Sequence, residues 1–159
     1  QNEVFKIGNS EYNFTGHFDG QNHTITITPS QHFSGIFHTI SSDIDTIAVK
    51  NLKITGTVGA LEGGLSGEYD APLALILQSG IIEECSFNGT LTNSTSITAS
   101  GGLVRLMYNG TIRNCNVNAK ISSHGAGGIV DSMFGGTIES CTVETGSEIS
   151  SNSSSQVGG

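Results

Sequence analysis

The sequence of 159 residues has no tryptophan, only two prolines, few charges and no long apolar run. Charged residues make up 13% of it, and strong helix formers are too scarce for a helical bundle. The longest apolar run, from Ala71 to Leu77, is far too short to span a membrane, so no membrane insertion is expected. Six basic residues stand against 14 acidic ones, and the net charge of -8 argues against a nucleic-acid partner.

Small polar residues fill most of the remaining sequence, with 22 Gly, 21 Ser, 16 Thr and 12 Asn. Isoleucine, valine and leucine recur at regular spacing among them, and together with the low charge this argues against disorder. The composition therefore predicts one β-rich domain over residues 1–159.

Five segments of seven residues repeat one pattern of apolar and polar positions. Their fourth positions are Ile25, Leu52, Cys85, Cys115 and Cys141. Their sixth positions are Ile27, Ile54, Phe87, Val117 and Val143. The positions between these two columns are polar, and this period of two predicts strands with one buried face.

A second match extends the repeat upstream of these strands. Residues 101–112 match residues 127–138, and residues 71–82 fit the same frame less closely. Such units bury their apolar faces only by stacking as parallel strands about 4.8 Å apart. We therefore predict an all-β fold, a right-handed parallel β-helix (solenoid) of about five coils, with the handedness taken from the general preference of parallel connections.

Several of these segments resemble GLUG-repeat proteins, which are named for a Gly-Leu-hydrophobic-Gly signature. The segments that carry the resemblance are Gly102-Leu103-Val104 and Gly128-Ile129-Val130, the stretches 110–115 and 136–141 that follow them, the lead-in 14–25, and Ser34 to Phe37. Arg105 and Asp131 replace the final glycine of the signature, which affects the expected local turn. The resemblance implies a parallel β-helix in a large surface or secreted protein, serving as a stalk, an adhesive surface or a fibre component.

Cys85, Cys115 and Cys141 fall in one inward column. One interpretation is a ladder of buried thiols, in which cysteine acts as a small apolar filler. The other is one strained bridge, Cys85–Cys115 or Cys115–Cys141, since stacked positions are close enough although their Cβ vectors run parallel. There is no CxxC pattern, so no zinc site is predicted, and no cofactor is expected.

The sequence contains six sequons for N-linked glycans. They begin at Asn13, Asn22, Asn88, Asn93, Asn109 and Asn152. Several would arise by chance in a chain so rich in Asn, Ser and Thr, but Asn88, Asn93 and Asn109 fall at outward or loop positions. We therefore expect an extracellular or cell-surface glycoprotein.

No arrangement of residues predicts catalysis, so the chain is not expected to be an enzyme. Asp43 and Asp45 lie two residues apart and suggest at most a weak Ca²⁺ site, or simply a solvated loop. The long loop over residues 59–70 contains Glu62, Glu68, Tyr69 and Asp70 and is either a contact patch or a flexible excursion.

Three functions fit these features. The first is a structural scaffold, a stalk or a fibril subunit that stacks on a second copy or on flanking coils, since no capping helix is evident and Gly158-Gly159 repeats the pair that opens earlier coils. The chain, which begins at Gln1 without a signal sequence, would then be a fragment or protomer of a longer solenoid. The second is an adhesin that binds carbohydrate, with Tyr108 as a candidate contact. The third, and weakest, is a polysaccharide lyase or hydrolase using Asp43 and Asp45.

Overall fold

The computed structural model describes residues 6–28, 35–58, 70–92, 99–151 and 157–158. Within these ranges the chain forms eighteen β-strands and no helix. Every strand pair is parallel. The predicted parallel β-solenoid is therefore confirmed. No helix in the described part of the chain is long and apolar enough to cross a membrane.

The strands build four sheets. Sheet A contains β3 (Phe37–Ser41), β6 (Ala74–Ser79), β10 (Val104–Met107) and β14 (Val130–Met133). Sheet B contains β1 (Phe18–Asp19), β4 (Ile47–Lys50), β7 (Ile81–Glu83), β11 (Thr111–Arg113) and β15 (Thr137–Glu139). Sheet C contains β2 (Thr24–Ile27), β5 (Lys53–Val58), β8 (Ser86–Thr92), β12 (Asn116–Ser123), β16 (Thr142–Val143) and β17 (Glu148–Ser151), the last two both on β12. The short sheet D contains β9 (Ala99–Gly101), β13 (Gly125–Gly127) and β18 (Val157–Gly158).

The chain rises through five stacked layers, which together make about four turns rather than the predicted five coils. We number the layers by their described residues: 6–28, 35–58, 70–92, 99–124 and 125–151. Layers two to four each give one strand to sheets A, B and C, and the fifth gives one strand to sheet A, one to sheet B and two to sheet C. The first layer gives strands only to sheets B and C and touches sheet A through two isolated bridges, Ile7 to Phe37 and Phe14 to Ile40. Sequence pattern alone counts this incomplete layer as a full coil.

The core consists of apolar columns that run along the axis. The column of sheet C, for example, passes through Ile54, Phe87, Val117 and Val143 in adjacent layers. The first three are buried and the fourth is only half-buried, because no described layer covers it. The column is therefore only partly buried at the last layer, where stacking covers it on one side.

A left-handed residue turns the chain between sheets B and C in every layer. Its positions are Asn22, Asn51, Glu84, Asn114 and Ser140, with φ between 52° and 61°. Asparagine tolerates this conformation better than most residues, and three of the five positions are Asn. One such residue replaces a longer loop at this corner of the solenoid.

This turn corrects the predicted register between the first two layers. The repeat pattern paired Ile25 with Leu52, whereas the structure pairs Ile25 with Ile54 and Thr24 with Lys53. The first layer has two extra residues at the corner, where the N–H of His23 donates to the carbonyl of Gly20. A slip of two residues keeps the same face inward, so apolar alternation could not detect it. The registers predicted for the later layers are confirmed.

Glycine is required at the corner between sheets A and B. Gly110 has a φ of 96°, and a Cβ there would lie 2.4 Å from the carbonyl oxygen of Gly80 in the layer below. Gly80 and Gly136 take the equivalent place in adjacent layers, also with positive φ. Only glycine allows the stacked backbones to approach this closely.

Candidate functional site

The three cysteines lie at the corner that precedes sheet C. Cys85 and Cys115 are buried and Cys141 is half-buried, and all three are free thiols. Each thiol donates to a backbone carbonyl of its own layer, Cys85 to Glu83 and Cys115 to Arg113 for example, at 3.2–3.3 Å. The alternative of a bridge is therefore not realised in this structure.

Contact and burial suppress the ionisation of two of these thiols, Cys115 and Cys141. The hydrogen bond with Cys85 and burial raise the pKa of Cys115 above its ordinary value. Burial likewise raises the pKa of Cys141. Protonated, buried thiols are poor nucleophiles and poor metal ligands, so the column serves packing.

The sequons fall on different parts of the surface. Asn13, Asn22, Asn88 and Asn109 are exposed. Asn88 lies within β8, in register with Thr55 and Asn118 on the outer face of sheet C. Asn109 follows the exposed Tyr108 at a corner. Asn93 and Asn152 lie outside the described residues.

The acidic pair Asp43 and Asp45 is exposed on a turn, in which the N–H of Thr46 donates to the carbonyl of Asp43 at 2.9 Å. In the part of the chain that the structure describes, no three His, Cys, Asp or Glu side chains come together as a metal site would require. Asp45 lines an open cavity of about 320 Å³ together with His17 and Lys50.

Of the long loop, only Asp70 is described, while Glu62, Glu68 and Tyr69 lie outside the described residues. Asp70 is buried and forms a parallel bridge with Ser100 of the next layer. Asp70 therefore belongs to the stack and not to the contact patch that the sequence suggested for residues 59–70.

Two exposed aromatic rings stack on the flank of the solenoid. Tyr108 and Phe134 follow Met107 and Met133, which are paired in sheet A, and their ring centroids are 5.1 Å apart at an angle of 12°. Phe134 is 69% exposed. The sequence predicts Tyr108 as a contact but not Phe134, although the match of residues 101–112 with 127–138 aligns the two positions.

An uncovered apolar surface lies at the end of the stack, and we call it the C-terminal edge. It consists of the outer sides of β14, β15, β16 and β17, which pair only with the layer below among the described residues. Apolar side chains line an open groove of about 530 Å³ along it: Ile129, Val130, Met133, Ile138, Cys141 and Val143. Met133 and Ile138 are 47% and 36% exposed, whereas their equivalents Met107 and Ile112 are fully buried.

Strand β18 marks where a further layer would start. It pairs with β13, so Gly158 lies opposite Gly127, which itself lies opposite Gly101. The C-terminal edge thus combines unpaired strand edges with the apolar columns of a solenoid core. Surfaces of this kind bind further strands.

Comparison with known proteins gives no further guide to this site. No protein-family model, no curated protein and no solved structure matches the chain. The resemblance to GLUG repeats therefore stays a prediction.

Proposed function

We propose that this chain is a non-enzymatic structural segment of an extracellular β-solenoid scaffold, a stalk or a fibril subunit. It works by accepting further layers on its C-terminal edge. The observation that supports this proposal is the edge itself, where columns buried in the layer below become exposed at Met133 and Ile138. Large apolar patches with open strand edges are rare on monomers and typical of interaction surfaces.

The polar flanks suit such a scaffold. The outer face of sheet C carries Thr55, Asn88 and Asn118 in register, and Thr26 Oγ1 lies 3.2 Å from Thr55 Oγ1. Glycans on Asn13, Asn22, Asn88 or Asn109 would extend from exposed positions without entering the core. Intact mass of native material before and after enzymatic deglycosylation tests this part, and an unmodified mass would refute it.

Substitution at the edge tests the scaffold role. Ile138→Lys places a charge among the apolar columns, and Ile44→Lys is the matched control because Ile44 is 51% exposed outside the edge. We expect Ile138→Lys to move the chain from large assemblies to free monomer in native extracts, measured by sedimentation velocity, while Ile44→Lys leaves it assembled. Wild-type chain found only as free monomer, or equal effects of the two variants, would refute the proposal.

The stacked pair Tyr108 and Phe134 supports a second candidate, an adhesin that binds carbohydrate. Exposed aromatic rings are common contacts for the apolar faces of sugars, and Asn109 adds a hydrogen-bonding group beside them. Loss of binding to a glycan array in Tyr108→Ala and Phe134→Ala, but not in Tyr12→Ala, would support it. Tyr12 is a suitable control because it is 70% exposed elsewhere on the chain.

A further inference from the structure

Charge alternates from layer to layer along the second half of the solenoid. In the third layer all the charged residues are acidic, namely Asp70, Glu83 and Glu84. The fourth layer carries only basic ones, Arg105, Arg113 and Lys120. The fifth is again acidic, with Asp131, Glu139, Glu144 and Glu148 and no lysine or arginine between residues 125 and 151.

The alternation follows the strand register. In sheet B, one outward column runs through Asp19, Lys50, Glu83, Arg113 and Glu139, so the sign changes at every step. Lys50 Nζ lies 3.5 Å from Asp19 Oδ2, and the guanidinium of Arg113 pairs with Glu83. Opposite charges directly across a strand pair stabilise it and like charges destabilise it.

Each base of the fourth layer faces an acid of the fifth. Arg113 lies opposite Glu139, and Lys120 lies opposite Glu148 with Nζ and Oε1 3.2 Å apart. The pairing of Val104 with Val130 and of Leu106 with Ser132 sets Arg105 opposite Asp131. Among the described residues, no strand pairs with the outer edges of β14, β15 and β17, which carry Asp131, Glu139 and Glu148.

We infer that the C-terminal edge docks a basic β-solenoid layer of a partner chain, one with lysine or arginine opposite Asp131, Glu139 and Glu148 and apolar residues opposite Ile138 and Val143. This inference rests on the proposed function and deepens it by naming the chemistry of the next layer. Stacking supplies the apolar contact, and the sign of the facing charges selects the partner.

The same column argues against a second copy of this chain as the partner. If the first layer of another copy continued the columns, Phe18 would follow Ile138 and Asp19 would face Glu139. Two carboxylates would then lie across one strand pair. Over residues 6–28 the only lysine or arginine is Lys6, against Glu11 and Asp19, so the first layer lacks the facing bases.

Three synthetic layers offered to the full chain test the inference. The first is a peptide of residues 99–124 with Cys115→Ser, which carries the apolar columns and the three bases. The second is the same peptide with Arg105→Glu, Arg113→Glu and Lys120→Glu, and the third is a peptide of residues 6–28. Fluorescence anisotropy measures binding, and maleimide labelling of Cys141, which lines the groove, measures coverage of the edge.

We expect the basic peptide to bind at least about tenfold more tightly than its acidic control, to lose this preference at high salt, and to protect Cys141 from labelling. The double variant Glu139→Gln with Glu148→Gln should reduce the preference while Cys141 stays protected. Equal binding of the basic and acidic peptides would overturn the charge rule but leave layer stacking intact. Tightest binding by residues 6–28 would identify a second copy instead, and binding by none of the peptides, with Cys141 unprotected, would refute the proposed function as well.

Discussion

The same substitution in adjacent layers separates burial by stacking from every other contribution to stability. Val117 and Val143 occupy the same column of sheet C and pair with each other. Val117 is fully buried between Phe87 and Val143, whereas Val143 has a neighbour on one side only and is half-buried. Valine to alanine at either position removes the same two methyl groups from a strand, so the cost in β-propensity largely cancels.

The expected losses in the free energy of unfolding follow from how fully the adjacent layers cover each valine. At about 0.8 kcal/mol for each methylene-sized group, Val117→Ala loses roughly 1.6 kcal/mol of transfer free energy, and the closed cavity raises this to about 2–2.5 kcal/mol. Val143→Ala loses about half the transfer free energy and leaves no closed cavity, so we expect roughly 0.5–1 kcal/mol. The two variants should therefore differ by more than about 1 kcal/mol in the free energy of unfolding.

Urea unfolding followed by far-UV circular dichroism measures both values on dilute monomer. A concentration series is the control, because a layer stacked on the C-terminal edge would bury Val143 and raise the cost of its truncation. Equal destabilisation by the two variants at every concentration, or a larger loss for Val143→Ala in the monomer, would refute the account of the column.

Three further results are expected. Gly110→Ala should lower the free energy of unfolding by about 2 kcal/mol or more, because it adds a clash with the layer below to an unfavourable φ. Gly146→Ala, at a φ of 106° with open space around it, should lower it by only about 1 kcal/mol. Thermal unfolding compares the two variants. Because the folded pKa of Cys115 is raised above its ordinary 9.0, the unfolded chain loses this proton first, so the free energy of unfolding should fall as the pH rises above about 9, by up to about 1.4 kcal/mol per pH unit for this thiol. Cys115→Ala should remove that part of the alkaline loss in pH-dependent urea titrations, and an unchanged slope would contradict it. Native alkylation followed by mass spectrometry should label Cys141 first and reach Cys85 and Cys115 only on unfolding, and equal labelling of all three would show that the column is not packed as described.

Apolar periodicity was sufficient to predict the solenoid and most of its register, because a strand buried on one face must place its large side chains at every second position. It could not settle the first pair of layers, since a slip of two residues buries the same face of β2. The left-handed corner residues resolve the slip. Aligning Asn22 with Asn51, the corner residues of the first two layers, gives the observed pairing of Ile25 with Ile54.

The docking surface was harder to predict than the fold. Met133 and Ile138 have the same pattern as the buried Met107 and Ile112, and only the stack shows that no described layer covers them. The charge alternation becomes visible only when the layers are aligned, because it depends on strand register. Arg113 and Glu139, for example, are far apart in sequence but lie opposite each other in the stack.

Electron microscopy of unstained native material tests the central claim, that the C-terminal edge accepts further layers, most directly. The account predicts rods of uniform width that continue past the length of this segment, with layers repeating every 4.8 Å or so along the axis. Discrete particles no longer than about 25 Å, with the C-terminal edge facing solvent, would contradict it.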